Sequence, residues 1–329
     1  MIRAVIFDMF ETLITHFESP LYFGAQMAAD AGIAEGDFRA VWRPAEDDRT
    51  LGKVTLEELL KRVLKENQCY SEELLHKLAD KRKAVKEDCF RHLHEEILPM
   101  LEALKARGVK IGLVSNCFSE EAEVIRQSIL FPFFDVTMLS CEQGVKKPDP
   151  EIFVRCMAQL NVAPYECIYV GDGGSRELEA AGELGMKPVQ AVWYLKEGSL
   201  QPAGRMAEFA QAETPLDVLR YVDRYDAEER EAGREKCREA ADRIARIVQM
   251  ESILDEVIDA VENHPDAVRE DAALGEKINT LFDYYENGLW LQDYAADEAG
   301  EVPTDLKRGV LAQDTLYDLL YCVEQLRGY

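Results

Sequence analysis

The first two thirds of the chain contain five short, mainly apolar runs, separated by longer stretches in which apolar residues recur every three or four positions. The runs are residues 5–7, 109–114, 135–139, 167–170 and 188–192. Such short runs are typical of strands that are buried on both faces, as in a parallel sheet. The longer stretches predict helices. Right-handed crossovers between the strands then predict the sheet order 3-2-1-4-5.

The stretch between the first two strands is too long for a single crossover helix and is helical in pattern throughout. Its clearest helical segments are residues 21–31, 56–64 and 72–85. Thr55, followed three positions later by Glu58, has the spacing of a capping box, and Ser71 is a second N-cap candidate. We therefore predict an α/β domain with a Rossmann-like doubly wound parallel sheet and an inserted α-helical segment, which is called the cap below.

From about residue 226 the pattern predicts helices alone. Apolar residues that share one face of a long helix are Ile244, Ile247, Val248, Leu254, Val257, Ile258 and Val261. Two more helices are predicted at residues 278–285 and 315–326. An aromatic cluster is expected to form the core of this part, because aromatic side chains supply much of the burial in a small domain. Its members are Tyr284, Tyr285, Trp290 and Tyr294.

The formal charge of −25 bears on partners and on domain organisation. It argues against nucleic-acid binding, because phosphates would be repelled. It is also uneven, since residues 226–329 hold 26 acidic and 11 basic side chains, a net charge of −15. We expect this acidic all-α domain to bind a protein partner or to self-associate.

The chain is predicted to form two domains. The first is residues 1–225, with a core at 1–15 and 95–225 and a cap at 16–94, and the second is residues 226–329.

No run of about eighteen apolar residues occurs, and the start of the chain lacks the features of a signal peptide. The expectation is a cytoplasmic protein that does not bind membranes. The eight cysteines are scattered, with no spacing that suggests zinc ligands or a disulfide framework. Cys117 stands apart from the others because it follows Ser115 and Asn116 into the loop after the second strand.

Candidate chemistry begins at Asp8, which ends the first strand. Open parallel sheets place their ligands at the carboxyl ends of the strands, and a carboxylate held there on rigid backbone suits nucleophilic attack. An ordinary turn cap would explain this aspartate equally well, so the residue alone leaves both interpretations open. Asp172 and Glu177 follow the fourth strand, and hard oxygen ligands of this kind suit Mg²⁺.

Three later fragments form a pattern together with Asp8. They are Val114-Ser115-Asn116, Lys146-Lys147-Pro148-Asp149-Pro150 and Val170-Gly171-Asp172-Gly173-Gly174-Ser175-Arg176-Glu177. In this order the four fragments resemble the four motifs of the haloacid dehalogenase-like hydrolase superfamily, in the subgroup with an α-helical cap between motifs one and two. The resemblance covers residues 1–225. Residues 226–329 resemble a small bacterial helical family of unknown function.

The resemblance implies a phosphatase that uses Asp8 as its nucleophile and passes through an aspartyl-phosphate. It implies Mg²⁺ as cofactor and a small phosphorylated metabolite as substrate, with Ser115 and Lys147 holding phosphoryl oxygens. The implied metal ligands are Asp8, the backbone carbonyl of Phe10, Asp172 and Glu177. The candidate substrate-binding residues are Asn116 and, in the cap, Arg43 and Arg49, whose guanidinium groups are suited to a second anionic group.

The chain departs from the family's pattern at Phe10. Phosphatases of the superfamily usually carry an aspartate there as general acid and base, and losing such a group costs roughly a hundredfold to ten-thousandfold in rate. The side chain of the adjacent Glu11 is expected to point elsewhere. Two alternatives therefore stay open, although the acid at Asp172 favours the phosphatase. One is a metal-independent haloacid dehalogenase in which Arg43 holds the substrate carboxylate, and the other is a weakly active regulatory protein that binds a phosphate ligand.

Overall fold

The computed structural model describes residues 1–196 and 203–328. It divides into two compact units, Met1–Glu228 and Glu229–Tyr329, which are described in turn. Within the described residues, no helix combines the length and the apolarity that crossing a membrane requires.

The strands are β1 (Ala4–Phe7), β2 (Lys110–Ser115), β3 (Val136–Leu139), β4 (Cys167–Gly171), β5 (Lys187–Ala191) and β6 (Ala210–Ala212). The α-helices are α1 (Gly24–Ala31), α2 (Glu35–Trp42), α3 (Glu46–Thr50), α4 (Leu56–Glu66), α5 (Glu72–Cys89), α6 (Ile97–Ala106), α7 (Ser119–Gln127), α8 (Ser140–Gln143), α9 (Pro150–Leu160), α10 (Glu177–Glu183), α11 (Asp217–Asn263), α12 (Ala267–Glu270), α13 (Ala272–Glu286), α14 (Leu289–Glu298) and α15 (Gln313–Arg327).

The first unit is built on a parallel sheet with the strand order β3-β2-β1-β4-β5-β6. The predicted order of the first five strands is confirmed, as is the Rossmann-like α/β fold. The sixth strand was not predicted, because its sequence Ala-Gln-Ala has no apolar run. In register, Phe7 of β1 lies opposite Leu113 of β2 and Val170 of β4. The residues that follow these strands therefore reach the same edge of the sheet.

Helices cover both faces of the sheet because its side chains alternate between two apolar cores. Val5 and Phe7 of β1 pack in one core with residues of α6 and α7. Ala4 and Ile6 pack in the other with residues of α9 and α10. All four β1 side chains are fully buried. Close packing on both sides fixes the strand and, with it, the position of the residue that follows.

Between β1 and β2, helices α1 to α5 form the cap. Its separate apolar core includes Phe38, Leu60 and Leu78. The capping box at the start of α4 is present as predicted, since the Glu58 N–H donates to Thr55 Oγ1 (3.2 Å) and the Thr55 N–H donates to the Glu58 carboxylate (2.9 Å). Ser71 caps α5 in the predicted way, with its hydroxyl accepting a backbone hydrogen bond at 3.1 Å. The insert is thus a folded helical element with its own core.

The second unit is all-α in its described residues and contains the end of α11 together with α12 to α15. Its core includes Ile247, Leu254, Val257, Ile278, Tyr284, Trp290 and Val323. Helix α14 forms where no helix was predicted. Its Asp293 is fully buried and accepts hydrogen bonds from Arg246 Nε (2.8 Å) and the Tyr284 hydroxyl (2.9 Å). The domain boundary predicted at residues 225 and 226 lies within α11.

Candidate active site

Asp8 lies at the carboxyl end of β1. Its backbone N–H donates to the Val170 carbonyl (2.8 Å), which continues the pairing of β1 with β4 beyond the last residue of β1. Its Oδ1 accepts a hydrogen bond from the Met9 N–H and pairs with Lys147 Nζ, both at 2.7 Å. Asp8 is 6% exposed and Lys147 is 2% exposed. The position of this carboxylate is therefore set by the sheet and by a buried ion pair.

Two more carboxylates approach Asp8 from the end of β4. Oxygen atoms of Asp8, Asp172 and Glu177 lie within 4.8 Å of one another. Glu177 is oriented by hydrogen bonds from the N–H groups of Gly173 (2.8 Å) and Ser175 (2.7 Å). Gly173 has φ +97°, which residues with a side chain rarely adopt, so this turn requires glycine. The structure thus brings together the predicted nucleophile and the predicted acidic pair.

Negative charge is crowded at this point. Burial, together with the Glu177 charge, raises the pKa of Asp8 to about 6, although Lys147 opposes the shift. Burial and the charges of Asp8 and Glu177 raise the pKa of Asp172 to about 8. Burial also opposes ionisation of Glu177, but Lys147 and the backbone amides outweigh it and lower the pKa of Glu177. Three carboxylates beside one ammonium leave a formal excess of two negative charges. A cluster of hard oxygen donors with this excess fits Mg²⁺.

Lys147 is held at its backbone and at its ammonium group. Asn116, in the loop after β2, accepts a hydrogen bond from the Lys147 N–H (2.8 Å) and donates one to the Lys147 carbonyl (3.0 Å). The ammonium also contacts the Tyr169 hydroxyl at 3.3 Å. Burial disfavours the charged amine, but Asp8 and Glu177 outweigh burial and raise the pKa of Lys147. Asn116 therefore positions the lysine as well as facing the cavity described below.

Ser115 is the last residue of β2 and is fully buried. Its hydroxyl finds no hydrogen-bond partner among the described residues. A buried hydroxyl without a partner is costly, and an oxygen of a bound ligand would satisfy it. This unpaired donor supports the prediction that Ser115 contacts a phosphoryl oxygen.

Phe10 occupies the position of the second aspartate in the family's first motif. Its ring stacks on His16, with the ring centroids 4.7 Å apart. The adjacent Glu11 also lines the cavity described below, but its carboxylate accepts hydrogen bonds from the Thr15 hydroxyl (2.7 Å) and the His16 N–H (3.0 Å). The Glu11 side chain thus points towards the segment that leads into the cap, as expected.

A cavity of about 830 Å³ lies between the core and the cap. Asp8, Asn116, Lys147 and Asp172 contribute to its core side. Arg43 lines it from the cap and is exposed. Within the described ranges, no hydrogen bond or ion pair occupies the Arg43 guanidinium. The guanidinium of this predicted substrate-binding residue is therefore available to bind an anionic group in the cavity.

Arg49, the second predicted cap arginine, also lines the cavity but is already engaged. It is 2% exposed and pairs with Glu120 of α7 at 2.7 Å. Its guanidinium lies over the rings of Trp42 and Phe118, at 4.3 Å and 3.7 Å from their centroids. The sequence could not show this, because Glu120 is 71 positions away. The contacts tie Arg49 to the core helix α7.

A buried ion network extends this link between cap and core. Arg82 Nε lies 2.6 Å from Glu120, and Lys86 Nζ lies 2.8 Å from Glu121. Burial opposes ionisation of Glu121, but Lys86 and Arg82 outweigh it and lower the pKa of Glu121 to about 2. Arg82 and Lys86 both line the cavity, and the sequence analysis missed them. The signal that could have found them is a pair of cations four positions apart on the apolar face of α5.

The model of the haloacid dehalogenase-like hydrolase family matches residues 2–185, more than half of the chain. The chain belongs to this family. The predicted resemblance is confirmed. Residues 247–327 match a domain of unknown function, DUF4298, which confirms the second resemblance.

Relatives of this haloacid dehalogenase-like hydrolase include phosphatases. The chain is 33% identical over 99 residues to the glyceraldehyde 3-phosphate phosphatase of Methanopyrus kandleri, which is 30% of this chain and 42% of that protein. It is 29% identical to the phosphorylated carbohydrates phosphatase of Thermotoga maritima, over 67% of this chain and 99% of that protein. The solved structure of a 2-haloacid dehalogenase from Pseudomonas syringae pv. Tomato DC3000 aligns with a TM-score of 0.49 at 22% identity, covering 68% of this chain and 100% of that chain. The chain thus spans less than half the length of the first of these relatives.

Asp172→Asn is expected to stabilise the metal-free protein and to abolish its stabilisation by Mg²⁺. The pKa of Asp172 is about 8 in the folded chain, against about 3.9 for an unfolded aspartate. The folded state therefore binds the extra proton between these values, so its stability falls as the pH rises through this window. Asparagine removes that penalty. Thermal unfolding should show a higher midpoint for the variant at about pH 9 and little difference at about pH 4.

The matched control for this experiment is Asp80→Asn, which removes an exposed carboxylate from α5. It should leave the metal response unchanged. An Asp172→Asn protein that is less stable than the parent at about pH 9, or that is still stabilised by Mg²⁺, would contradict the electrostatic account of the site.

Proposed function

We propose that this hydrolase is a Mg²⁺-dependent phosphatase that acts on a small phosphate monoester through an aspartyl-phosphate on Asp8. The observation that carries the proposal is the cluster of Asp8, Asp172 and Glu177, with oxygens within 4.8 Å of one another, beside Lys147. A metal-independent dehalogenase would gain nothing from two additional carboxylates here, because they would repel its anionic substrate. The names of the relatives from M. kandleri and T. maritima support phosphate monoesters as the substrate class.

Asp8 is the nucleophile in this proposal. Its Oδ1 is engaged by the Met9 N–H and Lys147, so we assign the attack on phosphorus to Oδ2. A bond forms between Oδ2 and phosphorus while the bond from phosphorus to the ester oxygen breaks. The ester oxygen leaves with the bonding electron pair and takes a proton from water to become the alcohol, since Phe10 has no proton to give. Water then attacks the same phosphorus and releases the Asp8 carboxylate and inorganic phosphate. Because β1 holds the nucleophile, its alignment is built into the fold.

Lys147 and Ser115 hold the phosphoryl group. The Lys147 ammonium offsets charge on the equatorial oxygens, and the unpaired Ser115 hydroxyl donates to one of them. The residues that would hold Mg²⁺ are Asp8, the backbone carbonyl of Phe10, Asp172 and Glu177. When bound, the ion supplies positive charge that offsets the repulsion between the site and the substrate phosphate.

Arg43 is assigned to a second anionic group on the substrate. It lines the cavity of about 830 Å³, and no described residue occupies its guanidinium. A guanidinium presents parallel donors to a carboxylate or a second phosphate. Arg49 is assigned a smaller part in binding, because Glu120 already pairs with it. The substrate is therefore a small phosphorylated metabolite, with one that carries a second acidic group preferred.

Release of inorganic phosphate from sugar phosphates and phosphorylated carboxylic acids, with and without Mg²⁺, tests this function. Activity should require the metal and disappear with a chelator. Asp8→Asn should reduce kcat by roughly ten-thousandfold or more, because the nucleophile is lost. Asp80→Asn should retain full activity. Metal-independent halide release from 2-haloacids would show instead that the protein is a dehalogenase. Tight binding of a phosphate ester without turnover would show instead that it is a ligand-binding regulator.

Phe10→Asp is expected to raise kcat for phosphate monoesters roughly a hundredfold, because it supplies a general acid and base beside the leaving group. Phe10→Leu, which removes the ring without adding a carboxylate, is the matched control and should give no such rise. The pH profile of kcat for Phe10→Asp should gain a limb that the parent lacks. Equal kcat values for the two variants would show that position 10 does not limit the proton transfer.

A further inference from the structure

The loop that carries Ser115 and Asn116 also carries Cys117, a thiol that the proposed mechanism does not use. The Sγ atoms of Cys117 and Cys141 lie 3.9 Å apart, between the loop after β2 and the start of α8. We propose that Cys117 and Cys141 form a redox modification site, at which a hydroperoxide converts the two thiols into a disulfide that displaces the Asn116 contact with Lys147. The disulfide does not depend on the proposed phosphatase function, whereas its effect on turnover does.

The two thiols differ in access. Cys117 is 1% exposed. Cys141 is partly exposed and lines a surface depression of about 350 Å³, together with Ser119, Arg126 and Glu142. A small oxidant can therefore reach Cys141 from solvent, while Cys117 lies directly behind it.

The pKa values of the two thiols differ in the same sense as their access to solvent. The contact between the two sulfur atoms lowers the pKa of Cys141 and, together with burial, raises the pKa of Cys117. The thiolate is the reactive form of cysteine, so Cys141 is the residue that meets the oxidant and Cys117 is the one that resolves the product.

The chemistry balances with one hydroperoxide. The Cys141 thiolate attacks one oxygen of the hydroperoxide, the O–O bond breaks, and Cys141 becomes a sulfenic acid. The other oxygen leaves with the bonding electron pair and takes up the proton that the Cys141 thiol released, so it departs as water or alcohol. The Cys117 sulfur then attacks the Cys141 sulfur and expels hydroxide, which takes up the Cys117 proton and leaves as water. Two electrons pass from the thiols to the peroxide, and a thiol reductant reverses the change.

Forming the bond requires the two sulfur atoms to approach by roughly 1.9 Å from their separation of 3.9 Å, because a disulfide has an S–S length of about 2.05 Å. Side-chain rotation supplies part of this approach, and in the proposed switch the Cys117 backbone moves as well. The Cys117 N–H donates to Ser140 Oγ (3.0 Å), and Ser140 Oγ donates to the Cys117 carbonyl (3.2 Å), so the two backbones are already joined. The residue before Cys117 is Asn116, which holds Lys147 through two hydrogen bonds. A shift of Cys117 is therefore transmitted to the lysine that pairs with Asp8.

Cys141 has little freedom to make the movement instead. The cap residue Gly52 packs so closely on its carbonyl that a Cβ atom at position 52 would lie 1.7 Å from the Cys141 oxygen. Movement of Cys141 would consequently disturb the contact between cap and core. Either displacement reaches the active site, through Asn116 or through the cap.

The chemical test is oxidation of the full chain with hydrogen peroxide, followed by blocking of free thiols, trypsin digestion and mass spectrometry without reductant. Cleavage after Lys110, Arg126 and Lys146 places the two cysteines in separate peptides, residues 111–126 and 127–146. We expect these peptides to be joined and to separate on reduction. Cys141→Ser should prevent the joining, whereas Cys237→Ser, which removes an exposed cysteine, should not. Oxidation of Cys237 without a link between the two peptides would overturn the proposal.

The consequence for the site is measured on the same oxidised protein. Hydrogen exchange should increase in the amides of residues 116–118 and of Lys146 and Lys147, a readout that does not need turnover. With an active phosphatase, kcat/KM should fall roughly a hundredfold on oxidation and recover on reduction, since a displacement of about 1 Å can have that effect. Cys117→Ala and Cys141→Ser should keep their activity in peroxide.

A joined pair of peptides with unchanged exchange at the amides of Lys146 and Lys147 would overturn the proposed displacement. A reduced parent protein that shows no turnover on any phosphate ester, but still forms the disulfide with increased exchange, would refute the phosphatase function and leave the modification site supported.

Discussion

The buried ion pair between Asp8 and Lys147 is the interaction on which the active site depends. Asp8 lies within reach of Asp172 and Glu177, and Lys147 is the ammonium that offsets their charge. Removing one partner of a buried pair typically costs about 3 to 5 kcal/mol, because the other charge is left without compensation. Much of the surrounding structure serves to keep this pair in place. Strand β1 fixes Asp8, and Asn116 fixes the backbone of Lys147.

The Lys147 ammonium does not neutralise all the carboxylates near Asp8. The remaining negative charge affects both the stability of the protein and its function. Burial, together with the charges of neighbouring carboxylates, raises the pKa values of Asp8 and Asp172, so the folded chain holds these groups ionised only at a cost. A divalent cation among these carboxylates would offset their mutual repulsion, so the same cluster can serve as a metal-binding site. The acidic cluster at the strand ends thus lowers the stability of the metal-free protein, and in the proposed function it binds the metal that accompanies a phosphate group.

Those parts of the fold and site that are encoded by local sequence could be predicted. The apolar run that ends in Asp8 predicted a buried strand with a carboxylate at its end, and Thr55 with Glu58 predicted the start of α4. Strand β6 could not be predicted, because its three residues are too short for a recognisable apolar run, although the strand pairs with β5 and buries Ala212 in the core. The pairing of Arg49 with Glu120 could not be predicted from local sequence patterns either, since it depends on how the cap packs on the core.

The cap and the core are joined largely through charged groups. Arg49, Arg82 and Lys86 of the cap meet Glu120 and Glu121 of α7 in a region that is almost closed to solvent. Buried ionic contacts of this kind depend strongly on geometry. They define one arrangement of the cap above Asp8, and they place positive charge along the wall of the cavity in a chain whose overall charge is −25.

A crystal structure of the full chain grown with Mg²⁺ and beryllium fluoride, a mimic of an aspartate-bound phosphoryl group, tests the central claim most directly. The account predicts one metal ion about 2.0 to 2.1 Å from oxygens of Asp8 and Asp172. It also predicts beryllium bonded to the Asp8 carboxylate, with fluorine atoms facing Lys147 and Ser115. A metal ion held by other residues, or beryllium fluoride bound away from Asp8, would contradict it.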